Sequence, residues 1–409
     1  MNKEIELTVK PEYIKAYQNG YPLISKESIM NWNKVTEEGT IINLFNDRKK
    51  FIAKGYYGRQ NKGYGWVLSP KKEVKIDVNY FIRKLKSAIT YRDDFYNDEN
   101  TTAFRVFNGE GDGIGGLTID YFDGYYLLTW YSIGIYRFKE TIFEALKSTV
   151  TYKGIYQKKR FDAKGQYLDD TDDFICGEKA SEPLIVKENG ANFAIYLDDG
   201  AMVGVFLDQR DVRKTIRDTY AKEKSVLNTF SYTGAFSVFA ALGEAKKTTS
   251  VDLANRSRTK TEEQFTVNNI DADAQDIIVE DVFNYFKYAV RKKLSFDLVV
   301  LDPPSFARSK KHTFSASKDY VKLLKEAIQI TNKGGVIIAS TNASNFDIKR
   351  FKTFIDKAFK ELNVKYSIEE TFSLPKDFRV NEKFKEGNYL KVVFIRKRGP
   401  QISLQRITL

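Results

Sequence analysis

The sequence predicts an α/β protein. Its C-terminal domain should be an open, mostly parallel sheet with helices on both faces, preceded by a small β-barrel and an α+β middle domain. Three observations predict this. Short apolar runs separated by turn signals fill residues 1–72, a helix followed by hairpin-like alternation fills 73–180, and strands alternate with helices over 181–409. Those ranges are the expected domains. With 409 residues, 42% hydrophobic and 14% aromatic, the chain has ample material for two or three packed cores.

In the first domain the apolar runs are residues 40–45, 50–58 and 63–69, broken by polar turns. Arg59 and Lys62 lie among Tyr56, Tyr57, Tyr64 and Trp66, mixing positive charge with ring surfaces as contacts with RNA require. Packing of the barrel accounts for most of those rings. Residues 78–96 then carry apolar positions 78, 81, 82, 85, 88 and 89, the period of an amphipathic helix. Over residues 103–136 the pattern turns to β structure around Gly111-Asp-Gly113-Ile-Gly-Gly116, a formal match to GxGxxG. A dinucleotide fingerprint must pass from a strand into a helix, whereas residues 117–131 alternate like a hairpin, so the match is a decoy.

Beyond residue 181, buried-strand candidates are 225–230, 247–253, 275–281, 296–302 and 335–340, with amphipathic helices at 320–330 and 347–362. Ligands of such sheets bind at the carboxyl ends of the strands, so the residues just past each strand carry the function. After the first comes Asn228-Thr-Phe-Ser-Tyr-Thr-Gly-Ala-Phe-Ser237, where Gly234 permits a tight turn and Ser231 and Thr233 can hydrogen-bond a ligand. Asp252 comes after the second strand, 18 residues past Gly234, and suits a ribose diol. Asp281 comes after the third and can accept from an adenine amino group; Asp302-Pro-Pro-Ser-Phe306 comes after the fourth. An acid after a strand also commonly caps the next helix.

Composition narrows the function classes. One cysteine, Cys176, and one histidine, His312, exclude a disulfide framework and a His/Cys metal site. No apolar stretch has the length of a membrane span, and residues 1–10 lack the apolar core of a signal peptide, so neither membrane nor metal is expected and the cytoplasm is the expected compartment. The net charge of +12 divides as +6, −3 and +9 over the three expected domains, which fits a phosphate-backbone partner touched by both ends.

Taken in order, residues 229–237, 251–257, 279–283 and 301–310 resemble the Rossmann-like S-adenosylmethionine-dependent methyltransferases. Within them the chain is similar to bacterial large-subunit ribosomal RNA base methyltransferases that carry an N-terminal PUA domain, the group of the 23S cytosine-C5 enzyme and its guanine-N7 relatives. Gly204-Val-Phe-Leu-Asp-Gln-Arg210 and residues 104–125 extend the likeness over nearly the whole chain. The resemblance implies S-adenosylmethionine as cofactor, held by Gln209, Arg210, Phe230, Ser231, Thr233, Gly234, Asp252, Asp281, Val282 and Asp302. It also implies a target-base pocket floored by Asp302, Pro303, Pro304 and Phe306. Ribosomal RNA is the expected partner, with Arg59, Lys62, Arg308, Lys310 and Lys311 as its contacts, and a homodimer stays open.

One departure matters. Members that make 5-methylcytosine carry a cysteine in the segment after the fifth strand, because carbon 5 becomes nucleophilic only after a thiolate adds at carbon 6. Here Asn342 takes its place in Ala339-Ser-Thr-Asn-Ala-Ser344, closer to the guanine-N7 relatives. Ser305 takes the slot where amino-group methyltransferases carry an aromatic residue. The expectation is direct, non-covalent transfer to a ring nitrogen such as guanine N7, with Asn342 at the base edge. The alternatives are a cytosine-C5 enzyme with a relocated nucleophile and a non-catalytic RNA-binding assembly factor.

Overall fold

The computed structural model describes residues 4–60, 63–161, 173–200, 202–308 and 313–400. Two compact units result: one holds residues 1–188, 195–207 and 376–387, the other 189–194, 208–375 and 388–409.

The first unit contains two five-stranded sheets. One runs in the order Ile5–Thr8, Ile41–Phe45, Phe51–Gln60, Gly63–Ser69, Leu23–Ile24, its first pair parallel and the others antiparallel. Leu7, Val9, Ile24, Ile42, Leu44, Ile52 and Tyr57 pack its interior. The other runs Phe174–Gly177, Gly154–Lys159, Tyr125–Trp130, Leu117–Phe122, Ala103–Asn108. The glycine run lies between Ala103–Asn108 and Leu117–Phe122, which pair antiparallel, so it links two strands and opens no helix. Gly113 and Gly116 take φ of 89° and 87° there, the left-handed region that only glycine enters without strain.

The helix expected over 78–96 is two pieces, Val78–Tyr91 and Asp93–Tyr96. Asp77 caps the first by accepting from the Tyr80 N–H at 3.0 Å. The break falls at Arg92, whose fully buried guanidinium pairs with Asp112 at 2.7 Å and donates to the main-chain oxygen of Asp377 at 2.6 and 2.9 Å. A charge so enclosed persists only because carboxylate and carbonyl acceptors surround it.

The second unit is built on one seven-stranded sheet. Its strands are β1 (Ser225–Thr229), β2 (Lys247–Asp252), β3 (Asp276–Val279), β4 (Phe296–Leu301), β5 (Thr331–Thr341), β6 (Val364–Phe372) and β7 (Lys391–Pro400), in the spatial order 3-2-1-4-5-7-6. The first five pair in parallel, and β7 runs antiparallel to both neighbours. Helices α1 (Ala235–Leu242), α2 (Ser257–Thr266), α3 (Val282–Arg291), α4 (Ala316–Ile330) and α5 (Ile348–Glu361) alternate with the strands. This is the expected α/β fold. The central strands read as nearly unbroken apolar runs because helices cover both their faces: Leu298, Val299, Val300 and Leu301 are all buried. Two cores result. One contains Val299, Leu323, Ile337 and Phe351, the other Val226, Leu298, Val300 and Ile338, so successive residues of β4 serve opposite faces.

Candidate active site

Between β1 and β2 the chain reverses sign along its backbone. Phe230, Tyr232 and Gly234 have φ of 55°, 52° and 79°, alternating with residues of negative φ. Short bonds lock this loop: the Ser231 N–H donates to the Val251 oxygen at 3.1 Å, the Gly234 N–H to the Ser231 oxygen at 2.8 Å, and the Tyr232 N–H to Asp252 Oδ2 at 2.9 Å. Ser231 and Thr233 are buried, and Phe230 is half-buried against the core. A Cβ on Gly234 would sit 2.5 Å from the Thr261 methyl, so both conformation and space require glycine there. Gly234→Ala should therefore lower stability by about 1–3 kcal/mol, from the left-handed penalty plus the clash, and depress the thermal midpoint. A midpoint equal to wild type would mean that the loop is not held in this form.

Asp252, at the end of β2, uses both carboxylate oxygens: Oδ2 takes the Tyr232 N–H and Oδ1 takes the Ala254 N–H at 2.9 Å. A carboxylate accepts about four bonds, so each oxygen retains capacity for a hydroxyl donor. Leu253 beside it is 57% exposed, an apolar surface that sequence reasoning passed over although it directly adjoins the strand-end acid. Asp281, at the end of β3, is an N-cap: Oδ1 accepts from the Phe283 and Asn284 N–H groups at 3.0 and 3.2 Å. Val282 is buried in the core, which leaves its main chain as what it offers a ligand.

At the end of β4, Asp302 is half-buried, Pro303 buried and Pro304 exposed, and the Phe306 ring is 64% exposed. Gln209 reaches Asp302 from a distant part of the sequence. Its Nε2 donates to Asp302 Oδ1 at 3.0 Å and to Ser340 Oγ, on β5, at 2.8 Å, while its buried Oε1 has no hydrogen-bond partner. Enclosure raises the Asp302 carboxyl to about 6, with repulsion from Asp208 adding to the rise and Ser340, Arg213 and Gln209 opposing it. Arg210 is buried one residue along. The Asn342 side chain is exposed past β5, where its Oδ1 accepts a hydrogen bond from the Ser305 hydroxyl. Lys391 was not anticipated. From β7 its buried ammonium donates to the Ala343 oxygen at 2.8 Å, bracing the loop that carries Asn342, and burial pushes it down to about 8.

Residues 306–308 pair antiparallel with 313–315 as a short ribbon; Lys310, Lys311 and His312 lie outside the described residues, as does Lys62. In the first unit, Arg59 donates from Nε to the Tyr57 hydroxyl at 2.6 Å, and its guanidinium lies 5.8 Å and 6.0 Å from the Tyr57 and Tyr64 ring centres. Trp32 joins those rings at 5.4–5.5 Å; Tyr56, Tyr57 and Trp66 are buried core residues, and Tyr64 is half-buried. Cys176 is a half-buried residue of the strand Phe174–Gly177. Among the described residues no cluster of three His, Cys, Asp or Glu could hold a metal, and no helix is long and apolar enough to cross a membrane.

Comparison with known proteins places this geometry. The profile of the S-adenosylmethionine-dependent methyltransferases matches residues 105–370, and that of a PUA-like domain matches residues 7–70. A Bacillus subtilis (strain 168) protein named "Putative ribosomal RNA large subunit methyltransferase YwbD" is 57% identical over 96% of this chain and 99% of its own length. The "Ribosomal RNA large subunit methyltransferase I" of Aeromonas salmonicida (strain A449) is 29% identical over 94% of this chain and 97% of its own. A crystal structure described as "a putative methyltransferase complexed with SAH" superposes with a TM-score of 0.89 at 40% identity, covering 96% of this chain and 100% of that one. Another, from Streptococcus mutans, gives 0.87 at 38% identity with the same coverage. Since the profile spans more than half of the chain and the relatives align from end to end, the chain belongs to the S-adenosylmethionine-dependent methyltransferases.

Proposed function

We propose that this protein methylates a base of large-subunit ribosomal RNA by direct transfer to a ring nitrogen, with guanine N7 the favoured target. The RNA substrate rests on the names of the end-to-end relatives and on the PUA-like match. The ring-nitrogen reading rests on a single observation: the position after β5 carries Asn342, held by Ser305, where a cytosine-C5 enzyme needs a thiolate.

The residues at the strand ends fit the cofactor. The spare capacity of Asp252 suits a ribose diol, Leu253 offers an apolar face to an adenine, and the main chain at Val282 with Asp281 suits its polar edge. The unpartnered Gln209 Oε1 is an acceptor suited to an amino-acid ammonium. Phe230, Ser231, Thr233 and Gly234 would close around the same end, with Arg210 behind them. When bound, the cofactor supplies a sulfonium methyl already activated for in-line displacement.

What the chain supplies is alignment and exclusion of water. Guanine N7 attacks through an in-plane lone pair and gives up no proton, so no general base is needed. Because Asn342 Oδ1 accepts from Ser305, what its amide has left to offer a base is its N–H donors, the type that suits the O6 acceptor next to N7. The exposed Phe306 gives a base taken from its stack a ring to lie on. Arg308 at the ribbon, with Lys310 and Lys311, and Arg59 beside Tyr64 and Trp32, would hold phosphates and unpaired bases.

Labelled cofactor incubated with stripped ribosomal RNA, then nucleoside mass spectrometry, tests the reading. The expected product is 7-methylguanine, formed equally by wild type and Cys176→Ser. Label on cytosine carbon 5, or loss of transfer in a folded, RNA-binding Cys176→Ser variant, would establish the relocated-nucleophile alternative. Cofactor and RNA binding without any transfer would favour the assembly-factor alternative.

A further inference from the structure

Two buried polar side chains, Gln209 and Ser340, converge on Asp302 although direct transfer to a ring nitrogen calls for no acid–base chemistry. The Gln209 amide spends both N–H groups, one on Asp302 Oδ1 at 3.0 Å and the other on Ser340 Oγ at 2.8 Å. The Ser340 hydroxyl also bears on Asp302, where its hydrogen bond favours the charged carboxylate. Turning the amide over would set Gln209 Oε1 against the Asp302 carboxylate, which settles the orientation. Tyr320 of α4 anchors the far side: its hydroxyl donates to the Ser340 main-chain oxygen at 2.6 Å. Ser340 is completely buried and Gln209 and Tyr320 nearly so.

We propose that Gln209 and Ser340 are positioning residues, a two-sided clamp that fixes the direction in which Asp302 presents its remaining lone pairs to the bound molecules. The inference rests on the methyl-transfer reading for its effect on rate, though not for the clamp itself. Donors on two sides also favour the charged carboxylate in an enclosed place that otherwise favours the neutral acid. The other charged or titratable groups facing it are Asp208, which opposes ionisation, Arg213, which assists it, and Tyr320, whose hydroxyl is kept protonated by burial first and by the Asp302 charge second. A neutral Asp302 keeps acceptor capacity mainly on its carbonyl oxygen, so two donors favour the charged form, in which both oxygens accept.

The test monitors the Asp302 carboxylic-acid C=O stretch against pH by infrared difference spectroscopy, wild type minus Asp302→Asn, in ligand-free protein. Wild type should titrate near 6. Ser340→Ala should move the midpoint up by about one unit, and Ser340→Thr, which keeps the hydroxyl, should restore it. Gln209→Met, of similar volume and without N–H donors, should move it the same way and covers the case in which Ser340→Ala fails to fold. In single-turnover transfer, Ser340→Ala should be about fivefold slower than wild type near pH 6, with most of the loss recovered at pH 8.5. Unmoved midpoints in the folded variants would overturn the proposal, as would a loss of rate by one factor at every pH, which marks a merely structural role. Shifted midpoints in a protein that transfers no methyl group would retain the clamp and overturn the methyltransferase reading.

Discussion

Asp252→Ala is expected to raise the dissociation constant for S-adenosylhomocysteine at least a hundredfold. In the proposed cofactor site this carboxylate would take both hydroxyls of a ribose diol, and hydrogen bonds to a charged acceptor contribute about 1.5–3 kcal/mol each. Losing both is worth two to four orders of magnitude in affinity, by roughly 1.4 kcal/mol per factor of ten. The substitution also strips the Tyr232 N–H of its acceptor, at a residue whose φ is already 52°, so the loop loses the brace that holds it ready. Asp252→Asn keeps one oxygen as an acceptor and should fall between alanine and wild type. Isothermal calorimetry on folded variants measures this directly, and an alanine variant that binds as tightly as wild type would remove Asp252 from the cofactor site.

Asp302→Asn should trade function for stability, with a pH dependence of defined sign. The folded carboxyl titrates near 6 against an ordinary value of 3.8. Between those values the native state holds more proton than the unfolded chain, so wild-type stability falls as pH rises through the window, and the whole cost is present above 6. Asparagine carries no charge at any pH. Its advantage over wild type should therefore be absent below pH 4, grow between 4 and 6, and level off above. For a half-buried residue the plateau is on the order of 1–3 kcal/mol, read as a higher thermal midpoint at pH 8 than wild type. The same variant should transfer methyl groups on the order of 100-fold more slowly, because a directed charged acceptor has been removed from an enclosed site. Equal midpoints at pH 8 would mean that Asp302 is not held in an unfavourable place.

Much of the second unit was legible residue by residue, because its signals are local. The parallel strands announce themselves as apolar runs, and the turn after β1 by a glycine that the backbone needs at φ 79°. The glycine run at 111–116 was legible as a strand connection from the alternation of residues 117–131, without knowledge of its packing partners. Asp281 shows the limit of such signals. Helix capping and ligand binding ask for the same side chain at the same place, and the structure shows that the cap uses Oδ1. Of the four rings beside Arg59, spacing could not separate the three that pack inward from Tyr64, and Trp32 lies too far back in sequence to be grouped with it.

By itself the sequence determined the α/β alternation, the order of chemical groups along the strand ends and the presence of Asn342 at the position where the resemblance puts a cysteine. Each depends on short-range periodicity or on a residue's own identity. Tertiary structure alone decided which distant segments meet: Gln209 bonds Asp302 across 93 residues and Ser340 across 131, and residues 376–387, coming after six strands of the second unit, close on Arg92 and Arg105 in the first. Such pairings are chosen by the burial of whole cores and by the demand that enclosed charges find partners, and neither leaves a periodic trace along the chain.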